Sequence, residues 1–173
     1  NKIYALDPQG SLRWSRELVD RVKNTPTIAS DGLLYVVADS SLYSFTLEGE
    51  LIWQKSLSGS IRSSIVVGED GVLYVADNDE LIALNNSGTV LWSYAMGYIS
   101  STPIVLKDGS IAVADKDGTL SVLDQDGKLL WEYESGSGVY ADLSATDQGN
   151  LLVVSGKQIF TLYSDAGGIS LNS

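Results

Sequence analysis

The sequence predicts an all-β fold, a β-propeller, and three observations predict it. A ten-residue hairpin, Ala5-Leu6-Asp7-Pro8-Gln9-Gly10-Ser11-Leu12-Arg13-Trp14, returns three times, with its glycine as Gly49, Gly88 and Gly127 and its tryptophan as Trp53, Trp92 and Trp131. Both ladders step by 39 residues and use all 4 tryptophans of the 173-residue chain; a fixed period of this size marks a repeat architecture. Each period also holds short β-branched and aromatic runs divided by Asp-Gly, Glu-Gly or Ser-Gly pairs, which are hairpin signals. No window shows a 3.6-residue apolar period, so no helix is predicted. Four short antiparallel strands per repeat make a propeller blade, and a blade with two apolar faces must stack on neighbours.

Taken in order, with strands A to D running from axis to rim, the chain opens with a half blade, 1–16, whose Lys2-Asp7 and Ser11-Arg16 are strands C and D. A blade over about 24–56 reads Pro26-Ser30, Leu33-Ala38, Leu42-Leu47 and Leu51-Gln54. The next, about 63–95, reads Ile65-Val67, Val72-Ala76, Leu81-Leu84 and Val90-Trp92. The third, about 101–134, reads Pro103-Leu106, Ile111-Ala114, Leu120-Leu123 and Leu129-Trp131. The last, about 141–173, has Asp142-Ala145, Leu151-Ser155 and Gln158-Tyr163, and then Gly167-Leu171 as a D strand without its Trp. This is a single partial propeller domain, 1–173, of about four and a half blades, expected to be a fragment or half of a larger ring.

The turns follow one chemistry. Asp31-Gly32, Asp70-Gly71, Asp108-Gly109 and Gln148-Gly149 occupy one equivalent turn. In the docking hairpin, Gly10, Gly49, Gly88 and Gly127 take the left-handed position that a bulged turn requires. Each Trp follows its Gly by four residues and is expected to dock one blade on the next, leaving its indole N–H to find one acceptor.

Composition narrows the function. The net charge is −11, which disfavours a phosphate-backbone partner, since that needs Lys/Arg patches. With no Cys and no His, thiol catalysis, Ser-His-Asp chemistry and Cys/His zinc sites are excluded for this chain. No apolar run approaches the roughly 20 residues of a membrane-spanning helix. The chain starts at Asn1, almost inside a strand pattern and with no charged-then-apolar leader, which suggests a processed or excised piece.

At the hairpin the chain resembles the quinoprotein-type propeller repeat of PQQ-dependent dehydrogenases and of BamB-like outer-membrane-assembly propellers. The docking motif of that family, approximately Ala-x-Asp-x-x-x-Gly-x-x-x-Trp, is matched by Ala5, Asp7, Gly10 and Trp14 with one residue fewer before the Gly. Val122, Asp124, Gly127 and Trp131 match with Val for Ala; Ala83, Asn85, Gly88 and Trp92 match with Asn for Asp; Ser44, Thr46, Gly49 and Trp53 keep only Gly and Trp. The family's Ser-Ser/Thr-Pro lead into the inner strand appears at Ser101-Thr102-Pro103, with partial copies at Thr25-Pro26 and Ser63-Ser64. The resemblance implies a ring of seven or eight blades, completed by further chain or by a second copy through exposed blade faces; the alternative is that this chain closes by itself as a small five-bladed ring.

Candidate site residues follow from this frame. Thr25, Ser64, Thr102 and Asp142 begin the inner strands and approach the central axis, where propeller ligands bind; Asp142 is the one charged member. Arg62, Tyr98 and Tyr140 precede inner strands and could form an interaction rim. Asp115-Lys116-Asp117-Gly118 and Asp77-Asn78-Asp79 resemble calcium loops, but lack the later carboxylates, and read as turns. The residues with which the family holds PQQ and calcium are not recognisable, so no catalytic residue, cofactor site or metal site is expected. The sequence thus predicts a non-catalytic propeller serving as a protein-interaction scaffold. It is expected to be periplasmic, secreted or cell-surface, with another protein or a second copy of itself as partner and no nucleic acid. The alternatives are a fragment of a PQQ-dependent dehydrogenase, which alone would call for PQQ with calcium, and a small-ligand sensor using the axial channel.

Overall fold

The computed structural model describes the chain except residues 100, 140, 141, 147, 149, 166, 167 and 173; for 160, 163–165 and 168–172 only the backbone is described. Tyr140, Gly149 and Gly167 therefore lie outside the described residues. The rest is all β, in five antiparallel sheets. β1 (Lys2–Leu6) and β2 (Leu12–Glu17) form a two-stranded sheet. Four four-stranded sheets follow in chain order: β3 (Thr27–Ile28), β4 (Leu33–Ala38), β5 (Ser41–Thr46) and β6 (Leu51–Ser56); β7 (Val66–Val67), β8 (Leu73–Asp77), β9 (Glu80–Leu84) and β10 (Val90–Ala95); β11 (Ile104–Val105), β12 (Ile111–Ala114), β13 (Thr119–Leu123) and β14 (Leu129–Glu134); β15 (Ser144–Ala145), β16 (Leu151–Ser155), β17 (Gln158–Asp165) and β18 (Gly168–Asn172). These sheets are called blades 1 to 5 below. Consecutive strands pair in every sheet, so each blade is a meander.

Burial explains the sequence pattern. The B strands β8 and β12 and the C strands β9 and β13 are buried on both faces, with only Glu80 and Thr119 half-exposed. Two covered faces require near-continuous apolar runs rather than alternation, which is how Leu73-Tyr74-Val75-Ala76 and Ile111-Ala112-Val113-Ala114 read. The D strands β6, β10 and β14 alternate exposed and half-buried, as rim strands should. Four apolar clusters each join one blade to the next; one brings Tyr35, Val37 and Leu42 of blade 2 against Ile65, Leu73 and Val75 of blade 3.

The docking hairpin is a locally satisfied turn. The Asp7 Oδ1 atom accepts from the N–H groups of Gln9 and Ser11 at 3.0 and 2.8 Å, Asn85 from Ser87 and Thr89 at 3.1 and 2.9 Å, and Asp124 from Asp126 and Lys128 at 3.0 and 2.9 Å. Thr46, shorter and without a carbonyl, manages a single such bond, from Glu50 N–H. The glycines sit at φ +80° to +83°, and the strand register slips beside each turn, the expected bulge.

Three of the four tryptophans dock on the turn of the following blade. The indole N–H of Trp14 donates to the Leu47 carbonyl at 2.8 Å, Trp53 to Asn86 at 2.7 Å and Trp92 to Gln125 at 2.8 Å. The acceptor lies two residues before the turn glycine each time, and the ring lies on that glycine: a Cβ on Gly49, Gly88 or Gly127 would stand 2.6, 3.2 or 2.5 Å from the indole. A side chain there would displace the ring, so the glycine serves both backbone conformation and close approach.

Candidate functional site

Thr25, Ser64, Thr102 and Asp142 each lie two residues before the inner strands β3, β7, β11 and β15. Thr25 and Asp142 are exposed, and Ser64 and Thr102 half-buried. Two of the four meet directly: the Thr102 backbone N–H donates to Asp142 Oδ1 at 2.8 Å, joining the inner end of blade 4 to blade 5. The bond employs the one charged residue of the set in a clasp between blades. Asn24 Nδ2 donating to the Ser63 carbonyl, and Thr27 Oγ1 to the Ile65 carbonyl, both at 2.8 Å, clasp blades 2 and 3 in the same region.

The lead-in serines that precede these positions are structural. Ser63 and Ser101 are buried. Ser63 Oγ accepts from Ala76 N–H at 2.9 Å, and Ser101 Oγ donates to the Ala114 carbonyl at 3.2 Å, so each pins its lead-in to the B strand of its own blade. Sequence reasoning passed over them; the signal that could have found them is the Ser-Ser/Thr pair itself, whose first hydroxyl must be satisfied once buried.

On the same end of the blades, Arg62 and Tyr98 come together across 36 residues of sequence. The Arg62 guanidinium lies 5.6 Å from the centroid of the Tyr98 ring, a cation–π pair between the lead-ins of blades 3 and 4. Both side chains are exposed. Tyr140, the third rim candidate, lies outside the described residues.

The acidic turns are engaged by backbone N–H groups, their own at Asp115 and a neighbouring lead-in's at Asp77. Asp115 is buried, and its Oδ1 atom accepts from the N–H groups of Asp117, Gly118 and Thr119 at 3.0, 2.9 and 2.8 Å. Asp77 is buried and accepts from Gly59 N–H at 3.1 Å, leaving Oδ1 without a partner among the described residues. Among the described residues no group of three or more acidic side chains is gathered to hold a metal ion. Asp108, in the turn between β11 and β12, is held below the usual carboxylate range by hydrogen bonds from the Ser110 hydroxyl and N–H.

Repeated four-stranded blades joined by tryptophan docks define a propeller of the quinoprotein type. The chain belongs to the family of the outer membrane protein assembly factor BamB, whose model matches residues 1–55 and 38–172. Among solved structures it is similar to BamB from Moraxella catarrhalis, with TM-score 0.76 and 22% identity over 92% of this chain. It spans 52% of that protein's length, about half. It is also similar to a protein of unknown function from Bacteroides caccae, with TM-score 0.66 and 17% identity, covering 98% of this chain and 67% of that one. No curated protein matches the chain in sequence.

Proposed function

We propose that this chain is a non-catalytic, PQQ-like repeat propeller serving as a protein-interaction scaffold outside the cytoplasm, in the periplasm, in secreted form or at the cell surface. The observation that carries the reading is the exposed Arg62–Tyr98 pair at the inner end of blades 3 and 4. Arg and Tyr are the residue types on which interface energy concentrates. Here they are held in one geometry by their stacking, which reduces the ordering cost of binding. The axial positions support an interaction role more than a ligand pocket, because Asp142 is bound to the neighbouring blade. Membership of the BamB family fits both the scaffold role and the extracytoplasmic placement.

Photo-crosslinking in the native cell envelope tests this. A benzoylphenylalanine at Tyr98 should give one discrete protein adduct, which Arg62→Ala weakens. The same probe at Lys128, on a rim turn at the opposite end of the blades, should not give that adduct. No adduct at Tyr98, or the same adducts from both positions, would overturn the reading.

A further inference from the structure

The tryptophan docks form a series with one exception. Trp14, Trp53 and Trp92 each donate an indole N–H to a turn carbonyl of the next blade. By the same period, Trp131 should meet the carbonyl of Ser164 beneath a glycine at 166, where the chain has alanine. In blade 5 the C strand does not turn at that point. β17 continues its ladder to Asp165, paired with Gly168, past the point where the C strands of the earlier blades end. Among the described residues the Trp131 indole N–H has no hydrogen-bond partner.

A second departure lies against the same indole. In blades 2 and 3 the docking tryptophan packs on a tyrosine of its own B strand, Tyr35 on Trp53 at 6.0 Å between centroids and Tyr74 on Trp92 at 5.9 Å. The register places Ala112 at this position in blade 4: it pairs with Ile104 as Tyr74 pairs with Val66 and Tyr35 with Thr27. The ring that fills the junction in earlier blades is absent here.

A groove of about 390 Å³ lies between blades 4 and 5, with Trp131, Val122, Leu151 and Leu162 as apolar walls and Lys107, Asp108, Ser110 and Gln148 along its edge. The gap between Asp70, Tyr74, Gly109 and Gln125, one blade earlier, is about 120 Å³, and the shallower gap beside the filled Trp53 dock, at Asp31, Asp70 and Asn86, is about 340 Å³, so it is the free indole N–H rather than volume that sets the blade 4–5 groove apart. The Lys107 ammonium has no ion-pair partner among the described residues.

We infer that this groove is a docking site for a glycine turn of a partner protein, a loop of the Asp/Asn-x-x-Gly type with an acidic residue beside the glycine. Its chemistry is shown by the three filled docks: an indole N–H seeks the carbonyl two residues before a glycine, and the ring lies flat on that glycine. An acid beside the glycine, as in Glu48-Gly49 and Asp126-Gly127, would meet Lys107. The groove lies by the A–B turns of blades 4 and 5, at the opposite end of the blades from the Arg62–Tyr98 pair, so either site can fail without the other.

The test uses the whole chain, ¹⁵N-labelled, and a cyclic peptide carrying the turn Asp-Gln-Asp-Gly copied from Asp124–Gly127. The four indole N–H resonances are assigned by Trp→Phe substitution. In the free protein, three should exchange slowly with water and that of Trp131 quickly. The peptide should shift and protect the Trp131 resonance alone, and a peptide with alanine for glycine should bind at least about tenfold more weakly, the effect of 1.4 kcal/mol. Ala112→Tyr, which restores the ring of blades 2 and 3 without deleting any contact, should also weaken binding tenfold or more. Four equally protected indoles in the free protein, no saturable shift, or equal binding of the alanine peptide would overturn the proposal. Protection of Trp131 that grows with protein concentration alone would overturn it in favour of a second copy as occupant.

Discussion

If the docks hold the blades together, alanine at the four turn glycines should cost stability in the order of ring contact rather than of backbone geometry. The backbone is nearly constant, with φ +83° at Gly10 and Gly49 and +80° at Gly88 and Gly127. Alanine in the left-handed region costs roughly 1–2 kcal/mol, offset by about 0.4–1 kcal/mol from a less flexible unfolded chain. Gly10→Ala, with nothing within 4 Å of the added Cβ, should therefore lose about 1 kcal/mol. At Gly127 the Cβ would lie 2.5 Å from the Trp92 ring, so the ring must retreat by about 1 Å to reach ordinary contact. That retreat stretches the 2.8 Å bond to the Gln125 carbonyl, a net loss of about 1 kcal/mol. It also overpacks the junction, at about 1–3 kcal/mol. Gly127→Ala should lose about 3–5 kcal/mol in all. Gly49→Ala, at 2.6 Å, should be similar, and Gly88→Ala, at 3.2 Å, should fall between the extremes. Urea unfolding followed by tryptophan fluorescence gives the order through the midpoint at constant slope. If Gly10→Ala and Gly127→Ala fall within about 0.5 kcal/mol of each other, well inside the loss expected from overpacking, the glycines serve the turn alone and the docking argument is wrong.

Further outcomes follow from the same contacts. Burial, with a contribution from Asp70, raises the Tyr74 phenol to about 12, and burial also raises Tyr35 and Tyr43. Because the folded values lie above the unfolded one, their stability contribution is complete below about pH 10 and is lost as the pH rises toward the folded values, by up to about 1.4 kcal/mol per unit for each tyrosine; Tyr74→Phe should flatten that decline in a urea midpoint series. Asp115→Ala strands three turn N–H groups and should cost about 2–4 kcal/mol, measured by thermal unfolding. Asp142→Ala removes a solvent-exposed clasp and should cost only about 0.5–1.5 kcal/mol; a much larger loss in urea unfolding would show that the clasp holds the inner edges together. With the Trp131 dock lacking its hydrogen bond, β16 amides should exchange faster than those of β8 and β12 in native-state hydrogen exchange.

What was legible in the sequence was whatever repeats. Blade boundaries, the turn glycines and the docking role of tryptophan follow from a period, because each copy corroborates the others. Even the Asp or Asn of the turn could be foreseen, since its side chain bonds within five residues. The candidate site was less legible because its contacts join adjacent blades. Arg62 meets Tyr98, and Thr102 meets Asp142, across 36 and 40 residues, and neither pair is repeated among the described residues. The sequence marked Arg62 and Tyr98 as rim residues but held no signal that they stack. It marked Asp142 as an axial carboxylate, and not as the acceptor for a neighbouring blade's N–H, since backbone donors leave no trace in residue identity.

A strict repeat also makes departures from it interpretable. Replacing a buried tyrosine by alanine sacrifices packing, and large-to-small core changes of this kind cost about 3–5 kcal/mol for aromatic rings. Giving up the glycine turn forfeits an indole hydrogen bond as well. Independent drift would scatter such losses over the junctions between blades. Here the alanine at 112 and the alanine at 166 fall at the same step of the repeat, the one whose tryptophan is Trp131. Trp131 still packs against the apolar cluster that joins blades 4 and 5, and it also has an unused hydrogen-bond donor and a groove beside its ring. On the proposal that a ligand completes this dock, that ligand must bring what the other three docks already have, a carbonyl and a glycine.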